Sequence, residues 1–165
     1  MKIIYFLLSI LILSNCKSVQ NTSQPIEKIS KEKFLEKPFG FKETIKDFSN
    51  NSVVKFKTEK LLNRNRHYPE KTDTIYKFYY KKSEVFFYKT HTGKEFLLAG
   101  KIMNKQIELV NQIFVGIPKT DFKNRFSENL EIKGDSIQMM GPGTKYTFIF
   151  KKDKLYRINI DNYFD

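Results

Sequence analysis

The clearest pattern of hydrophobic and polar positions lies in the middle of the chain. Three runs rich in Tyr, Phe, Ile and Leu cover residues 73–81, 84–90 and 95–103. Short polar segments at 82–83 and 91–94 separate these runs, and the second segment contains a glycine. Alternating apolar runs of this length, joined by tight turns, predict an antiparallel meander.

Alternation within the first run predicts two chemically different sheet faces, because successive side chains of a strand point to opposite sides. From position 76 onward the even-numbered residues are aromatic: Tyr76, Phe78 and Tyr80. The odd-numbered positions mix apolar and basic side chains: Ile75, Lys77, Tyr79 and Lys81. We expect the even-numbered face to be buried and the odd-numbered face to meet solvent or a partner.

Before the meander, Ser30 is a suitable N-cap for a short helix over 30–37 that turns Phe34 and Leu35 inward. Residues 39–48 predict a second helix. Val54 and Phe56 alternate well enough to predict a strand over 53–57. Residues 61–71 read as a basic, polar loop that contains a proline.

After the meander, a glycine break at Gly116 leads into a helix that extends to Phe126. Phe122 and Phe126 lie one turn apart on one face of this helix. The remaining apolar runs predict three more strands: residues 135–140, 146–151 and 155–160.

The two halves of the chain, 28–105 and 106–165, resemble each other. Asp73-Thr74-Ile75 matches Asp135-Ser136-Ile137, and thirteen positions later Phe86-Phe87 matches Phe148-Ile149. A helix followed by strands, repeated, would bury both helices on one sheet face. The predicted fold is therefore α+β, with short helices on one face of an antiparallel sheet, as two tandem repeats or as two similar amphipathic halves.

The N-terminus indicates where the protein resides. Lys2 precedes an apolar run over 3–13 that is too short to cross a bilayer, and Leu13-Ser14-Asn15-Cys16 follows. Residues 1–15 resemble a bacterial lipoprotein signal peptide with its lipobox. The resemblance implies cleavage between Asn15 and Cys16, diacylglycerol on the Cys16 sulfur and an acyl chain on its amino group. The alternative is an ordinary signal peptide with an unrelated cysteine, although a lone thiol is unusual in an exported chain.

Two or more acyl chains would hold the chain stably at a membrane without a transmembrane helix. Residues 16–27 then form the lipidated cysteine and a polar tether, and residues 28–165 form a single domain without thiols. We expect a cell-envelope protein, most simply in the outer membrane, and its periplasmic or surface face stays open. No further cofactor is expected.

The net charge of the chain excludes few classes of binding partner. Removing Lys2 with the signal leaves 29 basic and 18 acidic side chains, a net charge of +11. This balance suits anionic lipid, cell-wall carboxylates or an acidic protein, but an AT-rich genome also favours lysine. Nucleic acid is the wrong partner for an exported protein, and only four arginines are present.

The segment Val115-Gly116-Ile117-Pro118-Lys119-Thr120-Asp121-Phe122, with Phe126 and the hairpin at 148–155, resembles the SmpA/OmlA (BamE-like) family of small lipoproteins. A tandem copy of that unit is similar to the β-lactamase-inhibitor-protein-like fold. The whole chain also resembles uncharacterised flavobacterial lipoproteins. These resemblances imply a helical layer on an antiparallel sheet and binding of other envelope proteins rather than catalysis.

No catalytic or metal-binding motif stands out in the sequence. His67 and His91 are far apart in predicted loops, the acidic residues are scattered, and Gly141-Pro142-Gly143-Thr144 lacks the ending of a phosphate loop. One surface remains as a candidate binding face, formed by the odd-numbered strand face and the basic loop: Lys77, Tyr79, Lys81, Arg64, Arg66 and Tyr68. The alternative is that a helix covers these aromatics while the lysines extend to solvent.

The sequence thus predicts a non-enzymatic, lipid-anchored adaptor or inhibitor that binds another envelope protein. A binder of anionic lipid or cell wall is the alternative, and an envelope hydrolase is the third candidate. The oligomeric state is open.

Overall fold

An antiparallel sheet of seven strands organises the chain in the computed structural model, which describes residues 26–131 and 133–162. The described residues form nine strands, seven in this sheet and two in a separate pair: β1 (Lys57–Arg64), β2 (Thr72–Tyr80), β3 (Ser83–Lys89), β4 (Glu95–Ile102), β5 (Glu108–Leu109), β6 (Ile113–Phe114), β7 (Ser136–Gly141), β8 (Thr144–Lys151) and β9 (Lys154–Asn162). The α-helices of the described residues are α1 (Lys31–Glu36), α2 (Ile45–Asn51) and α3 (Lys119–Asn124), and a short 3-10 helix covers Val110–Gln112. The α+β prediction is confirmed.

The strand order in space is β1-β2-β3-β4-β9-β8-β7, with β5 and β6 paired separately. Apart from β1, the sheet consists of two three-stranded meanders, β2-β3-β4 and β7-β8-β9. The last strand of each meander, β4 and β9, joins them as an antiparallel pair, so the arrangement is symmetric about that pair. Each meander also carries one register shift, at Phe86/Phe87 and at Ile149/Phe150. Two copies of one unit joined through their last strands would have this arrangement.

All three helices bury a phenylalanine against the same sheet face, which we call the inner face. The Phe34 ring of α1 lies 5.4 Å from Tyr146, the Phe48 ring of α2 5.1 Å from Phe87, and the Phe122 ring of α3 4.7 Å from Phe148. Helices of six or seven residues are not stable alone in water. Aromatic packing on the sheet therefore holds the helical layer in place.

Side-chain caps decide where the first two helices begin. The Ser30 hydroxyl accepts a hydrogen bond from the Lys33 amide at 3.2 Å, which confirms the predicted cap of α1. The predicted second helix over 39–48 is wrong in its bounds, because Thr44 caps α2 by accepting from the Asp47 amide at 3.0 Å. Before this cap, Gly40 has a φ of +80°, which interrupts helical geometry.

The predicted strand over 53–57 is also wrong in its bounds, because β1 covers Lys57–Arg64. The chain over 53–56 is not a strand, and residues 61–64, predicted as loop, are the second half of β1. Every residue of β1 is exposed, so the strand has no buried face and no apolar alternation to reveal it. Backbone pairing of β1 with β2 through eight residue pairs defines it instead. The other predicted strands and α3 agree with the structure to within a few residues at each end.

The acidic side chain of Glu43 is partly withdrawn from solvent. Burial raises the pKa of Glu43 to about 7 from its ordinary value of 4.5. Burial, and then the charge of Glu43, raise the pKa of Tyr146, whose hydroxyl has no hydrogen-bond partner among the described residues. The carboxyl group of Glu43 therefore enters the fold most easily in its protonated form.

We expect Phe48→Ala to destabilise the fold by about 3–5 kcal/mol, the usual cost of truncating a buried phenylalanine. Phe48 is 1 % exposed and contacts rings on both sides, including Phe39 at 5.2 Å and Phe78 at 5.1 Å. Urea unfolding measures the change. Leu62→Ala is the control, since Leu62 is 78 % exposed and should cost less than 0.5 kcal/mol or so; equal effects would contradict this account of the core.

The stability of the protein should fall as the pH rises from about 4.5 to about 7, because the native state retains the Glu43 proton that the unfolded chain has already lost. The contribution is fully present below the unfolded pKa and amounts to roughly 2–3 kcal/mol. Glu43→Gln should remove this dependence and be more stable than the wild type at pH 8. Urea unfolding at pH 5 and pH 8, with the exposed Glu70→Gln as control, measures it; identical pH profiles for wild type and Glu43→Gln would refute it.

Candidate protein-binding face

The sheet face opposite the helices, here the outer face, carries the odd-numbered residues of β2. Lys77 and Tyr79 point away from Phe78, which is 2 % exposed and packs under α2 at 5.1 Å from Phe48. The helices therefore do not cover Lys77 and Tyr79, contrary to the alternative that a helix would hide these aromatics.

The register of the meander brings further groups beside Lys77 and Tyr79. Tyr79 lies opposite Glu84 of β3, and Lys77 lies opposite Phe86. Glu84 in turn lies opposite Lys101 of β4. We call these five residues the outer patch: Lys77, Tyr79, Glu84, Phe86 and Lys101.

Charges within the outer patch are paired through one carboxylate. Glu84 binds Lys101 Nζ at 2.8 Å and Lys77 Nζ at 3.6 Å; the side chains of Glu84 and Lys77 are each 29 % exposed, and that of Lys101 is 42 % exposed. The hydrogen bond from Lys101 holds the pKa of Glu84 below its ordinary value against the effect of burial, and Lys77 adds to the shift. The carboxylate is thus ionised and holds both lysines in position.

The Lys77 ammonium also lies over aromatic rings, 5.6 Å from the Tyr79 centroid and 5.9 Å from Phe86. Burial, followed by the charge and hydrogen bond of Glu59, raises the pKa of Tyr79. The Tyr79 hydroxyl therefore stays protonated as a donor. The patch presents rigid aromatic surface with a cation held between two rings.

Apolar surface continues from the outer patch along the strands. Ile75 lies opposite Leu61 of β1 and Tyr88 of β3, and Tyr88 lies opposite Phe96 of β4. Ile75, Tyr88 and Phe96 are half-buried, and Leu61 is 48 % exposed. This strip leads from the outer patch to the basic loop at the far end of β2.

A buried aspartate anchors that loop. Asp73 is fully buried and accepts hydrogen bonds from the Asn65 amide group at 2.7 Å, from the His91 backbone N–H at 2.7 Å and from the Tyr88 hydroxyl. Burial alone would raise the pKa of Asp73, but the hydrogen bonds from Tyr88, His91 and Asn65 outweigh it and lower the pKa. The His91 ring lies beside the same carboxylate, with Nδ1 at 3.5 Å.

The structure places the six residues of the predicted binding face in three positions. Lys77 and Tyr79 lie together in the outer patch. Tyr68 lies at the loop end, 5.9 Å from the His91 ring, and the loop there is held partly by Arg64, whose Nε donates to the Pro69 carbonyl at 2.9 Å. Arg66 is exposed in the same loop. Asp73, at the loop end, and Lys77 are four residues apart on β2, or ~14 Å along the strand.

Lys81 does not join this face. Its backbone has a φ of 53° in the turn after β2, and its ammonium lies 5.2 Å from the Tyr80 ring. Tyr80 packs toward Phe56 on the helical side of the sheet, with the ring centroids 6.3 Å apart. The turn therefore breaks the odd-even alternation that assigned Lys81 to the face of Lys77.

Sequence reasoning overlooked Glu84, Phe86, Lys101 and Asp73. Glu84 and Phe86 follow from pairing the first two predicted strands through their short turn, which sets Glu84 opposite Tyr79 and Phe86 opposite Lys77. Lys101 does not follow in this way, because the pairing of β3 with β4 shifts register between Phe86 and Phe87. For Asp73 no sequence signal exists, because its partners come from separate segments of the chain.

Other chemistry is sparse in the part of the chain that the structure describes. Within 26–131 and 133–162, no group of three or more His, Cys, Asp or Glu side chains is placed to hold a metal ion. Among the same residues, no helix is long and apolar enough to span a membrane. Asn15 and Cys16, the predicted cleavage and lipidation site, lie outside the described residues.

No family model, curated protein or solved structure matches the chain. The resemblance to small envelope lipoproteins therefore stays a prediction from the sequence.

Asp73→Asn should loosen the basic loop, since an amide replaces a carboxylate oxygen that accepts from the Asn65 amide group. We expect faster hydrogen exchange over residues 65–71 at pH 7. In the wild type this contribution is present at neutral pH and should be lost as the pH falls below 3.8 through the lowered pKa of Asp73. Exposed Asp135→Asn is the control; unchanged exchange in Asp73→Asn would show that the carboxylate does not order the loop.

Proposed function

We propose that this protein is a lipid-anchored, non-catalytic adaptor or inhibitor of the cell envelope, which binds another envelope protein through its outer face. The observation that carries the proposal is the one-sided helical layer. It leaves the outer patch and its apolar continuation uncovered by helices on a rigid sheet. Tyrosine and phenylalanine held on a rigid surface lose little conformational entropy on binding, and such aromatics dominate protein interfaces.

Charge pairing within the outer patch favours a protein partner over anionic lipid or cell wall. Lys77 and Lys101 share Glu84, so their charge is partly neutralised where the aromatic surface is largest. A surface for a polyanion would instead leave cations unpaired and bind with strong salt dependence. The half-buried aromatics match a protein interface, whose core is apolar and depleted of unpaired charge.

Lipidation of Cys16 would add to this activity by concentrating the domain at a membrane surface. A tether over 17–25 would then let the outer face reach partners in the same membrane. The proposal thus assigns the N-terminus to location and the sheet to recognition.

A cross-linked pull-down of the tagged, full-length protein from its own envelope tests the proposal. We expect one recurrent protein partner, captured at least ten-fold less by a Tyr79→Ala, Phe86→Ala double variant. Tyr156→Ala is the matched control, because Tyr156 is likewise an accessible aromatic on a strand (44 % exposed) but lies outside the outer patch. Cys16→Ala should weaken capture without abolishing it.

Recovery of lipid or wall fragments alone would overturn the adaptor function in favour of the surface binder. Equal capture by the double variant and by Tyr156→Ala would show that the partner binds elsewhere on the protein. Circular dichroism and urea unfolding of each variant establish that the loss does not come from misfolding.

A further inference from the structure

The second edge of the sheet, β7, presents backbone groups that no other residue of 26–131 or 133–162 pairs with. The backbone N–H and C=O groups of Ser136 point away from β8. The Ser136 carbonyl accepts a hydrogen bond from the Lys133 amide at 3.0 Å, and the Ser136 amide donates to the Lys133 carbonyl at 3.1 Å. The preceding carbonyl, of Asp135, points the opposite way and accepts from the Phe150 amide of β8 at 2.8 Å. By the alternation of an antiparallel strand, the N–H and C=O groups of Gln138 and Met140 lie on the open edge.

A groove runs along this open edge, with α1 as its other wall. One hollow of about 460 Å³ lies between Leu35 of α1 and Met140 of β7, and a second of about 220 Å³ adjoins it beside Gln138. Lys31 and Met140 line both hollows, so the two hollows lie side by side along the edge. The helix and strand are in close contact at the end of β7, where a Cβ on Gly141 would meet Leu35 Cδ1 at 3.3 Å.

We propose that an extended segment of another protein binds in this groove as an eighth strand, paired to the backbone of Gln138 and Met140. An open sheet edge supplies main-chain hydrogen bonds to such a segment, while pockets beside the edge select its side chains. This site is separate from the outer patch, because β7 lies four strands from β3, or ~19 Å across the sheet.

The lining of the groove indicates which side chains it would select. Met140 is 60 % exposed and lines the larger hollow together with Leu35, so the hollow offers apolar surface to an aliphatic side chain. Glu32 and Glu36 lie one helical turn apart in the wall of the same hollow, which Lys31 also lines, so the wall carries one net negative charge. Neither of them forms an ion pair with another residue of 26–131 or 133–162. The complementary segment is therefore an extended peptide with an aliphatic residue and a neighbouring lysine or arginine.

The opposite edge of the sheet differs. Strand β1 exposes all eight of its residues and places Lys57 and Lys60 along the edge, where lysines discourage further pairing. None of the hollows beside α1 involves β1. Of the two sheet edges, β7 is therefore the one suited to binding an additional strand.

Selection of random twelve-residue peptides displayed on phage, against the tagged full-length protein in detergent, tests the inference. We expect selected peptides that combine aliphatic residues with Lys or Arg, and dissociation constants of about 1–100 µM by fluorescence anisotropy. Met140→Pro should weaken binding at least ten-fold, because proline removes an N–H on the open edge without removing a hydrogen bond to β8. Glu32→Gln with Glu36→Gln should weaken it several-fold and remove the preference for basic peptides, whereas Tyr156→Ala should leave binding unchanged.

Modified peptides keep the test decisive if Met140→Pro fails to fold. N-methylation of alternate residues of a selected peptide should abolish binding to the wild-type protein in one register and spare it in the other, as strand addition requires. Failure to select any peptide, or equal binding in both N-methylated registers, would overturn the inference. So would loss of binding in Tyr79→Ala, Phe86→Ala alone, which would place the peptide on the outer patch. A concentration-dependent dimer that Met140→Pro abolishes would make a second copy of this chain the occupant instead.

Discussion

Burial of one phenylalanine from each short helix against a single sheet face is the interaction on which the rest of the structure depends. Phe34, Phe48 and Phe122 are each at most 1 % exposed, while their helices are too short to persist alone. The described residues contain no cysteine, so no disulfide assists them. Hydrophobic burial must therefore supply the stability, and it places every described helix on the same side of the sheet.

Because the helices cover only one side of the sheet, the outer face and the sheet edges are the surfaces available for binding a partner. On the outer face, Glu84 gathers two lysines and the rings hold Lys77, so the surface is ordered before any partner arrives. Preorganisation of this kind lowers the entropy cost of association. The edge at β7 differs in kind, because its recognition would rest on backbone hydrogen bonds rather than on a face of side chains.

Two acidic residues show how environment, rather than residue type, sets charge in this fold. Asp73 is fully buried yet ionised, because several donors converge on it, and it orders the loop that carries Tyr68. Glu43 has no comparable donors among the described residues, so burial raises its pKa to about 7. The first carboxylate stabilises the native state at neutral pH, and the second opposes it there.

Hydrophobic periodicity by itself determined the three-stranded meander, the last three strands and the shared helix face of Phe122 and Phe126. The residue type at position 30 determined the cap of α1. These features are local, since alternation and capping act over a few residues. Strand β1, the start of α2 and the position of Lys81 were decided only by tertiary structure. A fully exposed edge strand has no apolar pattern, and a turn overrides alternation. The clustering of Asp73 with Asn65, Tyr88 and His91 likewise depends on strand register, which joins segments that the sequence keeps apart.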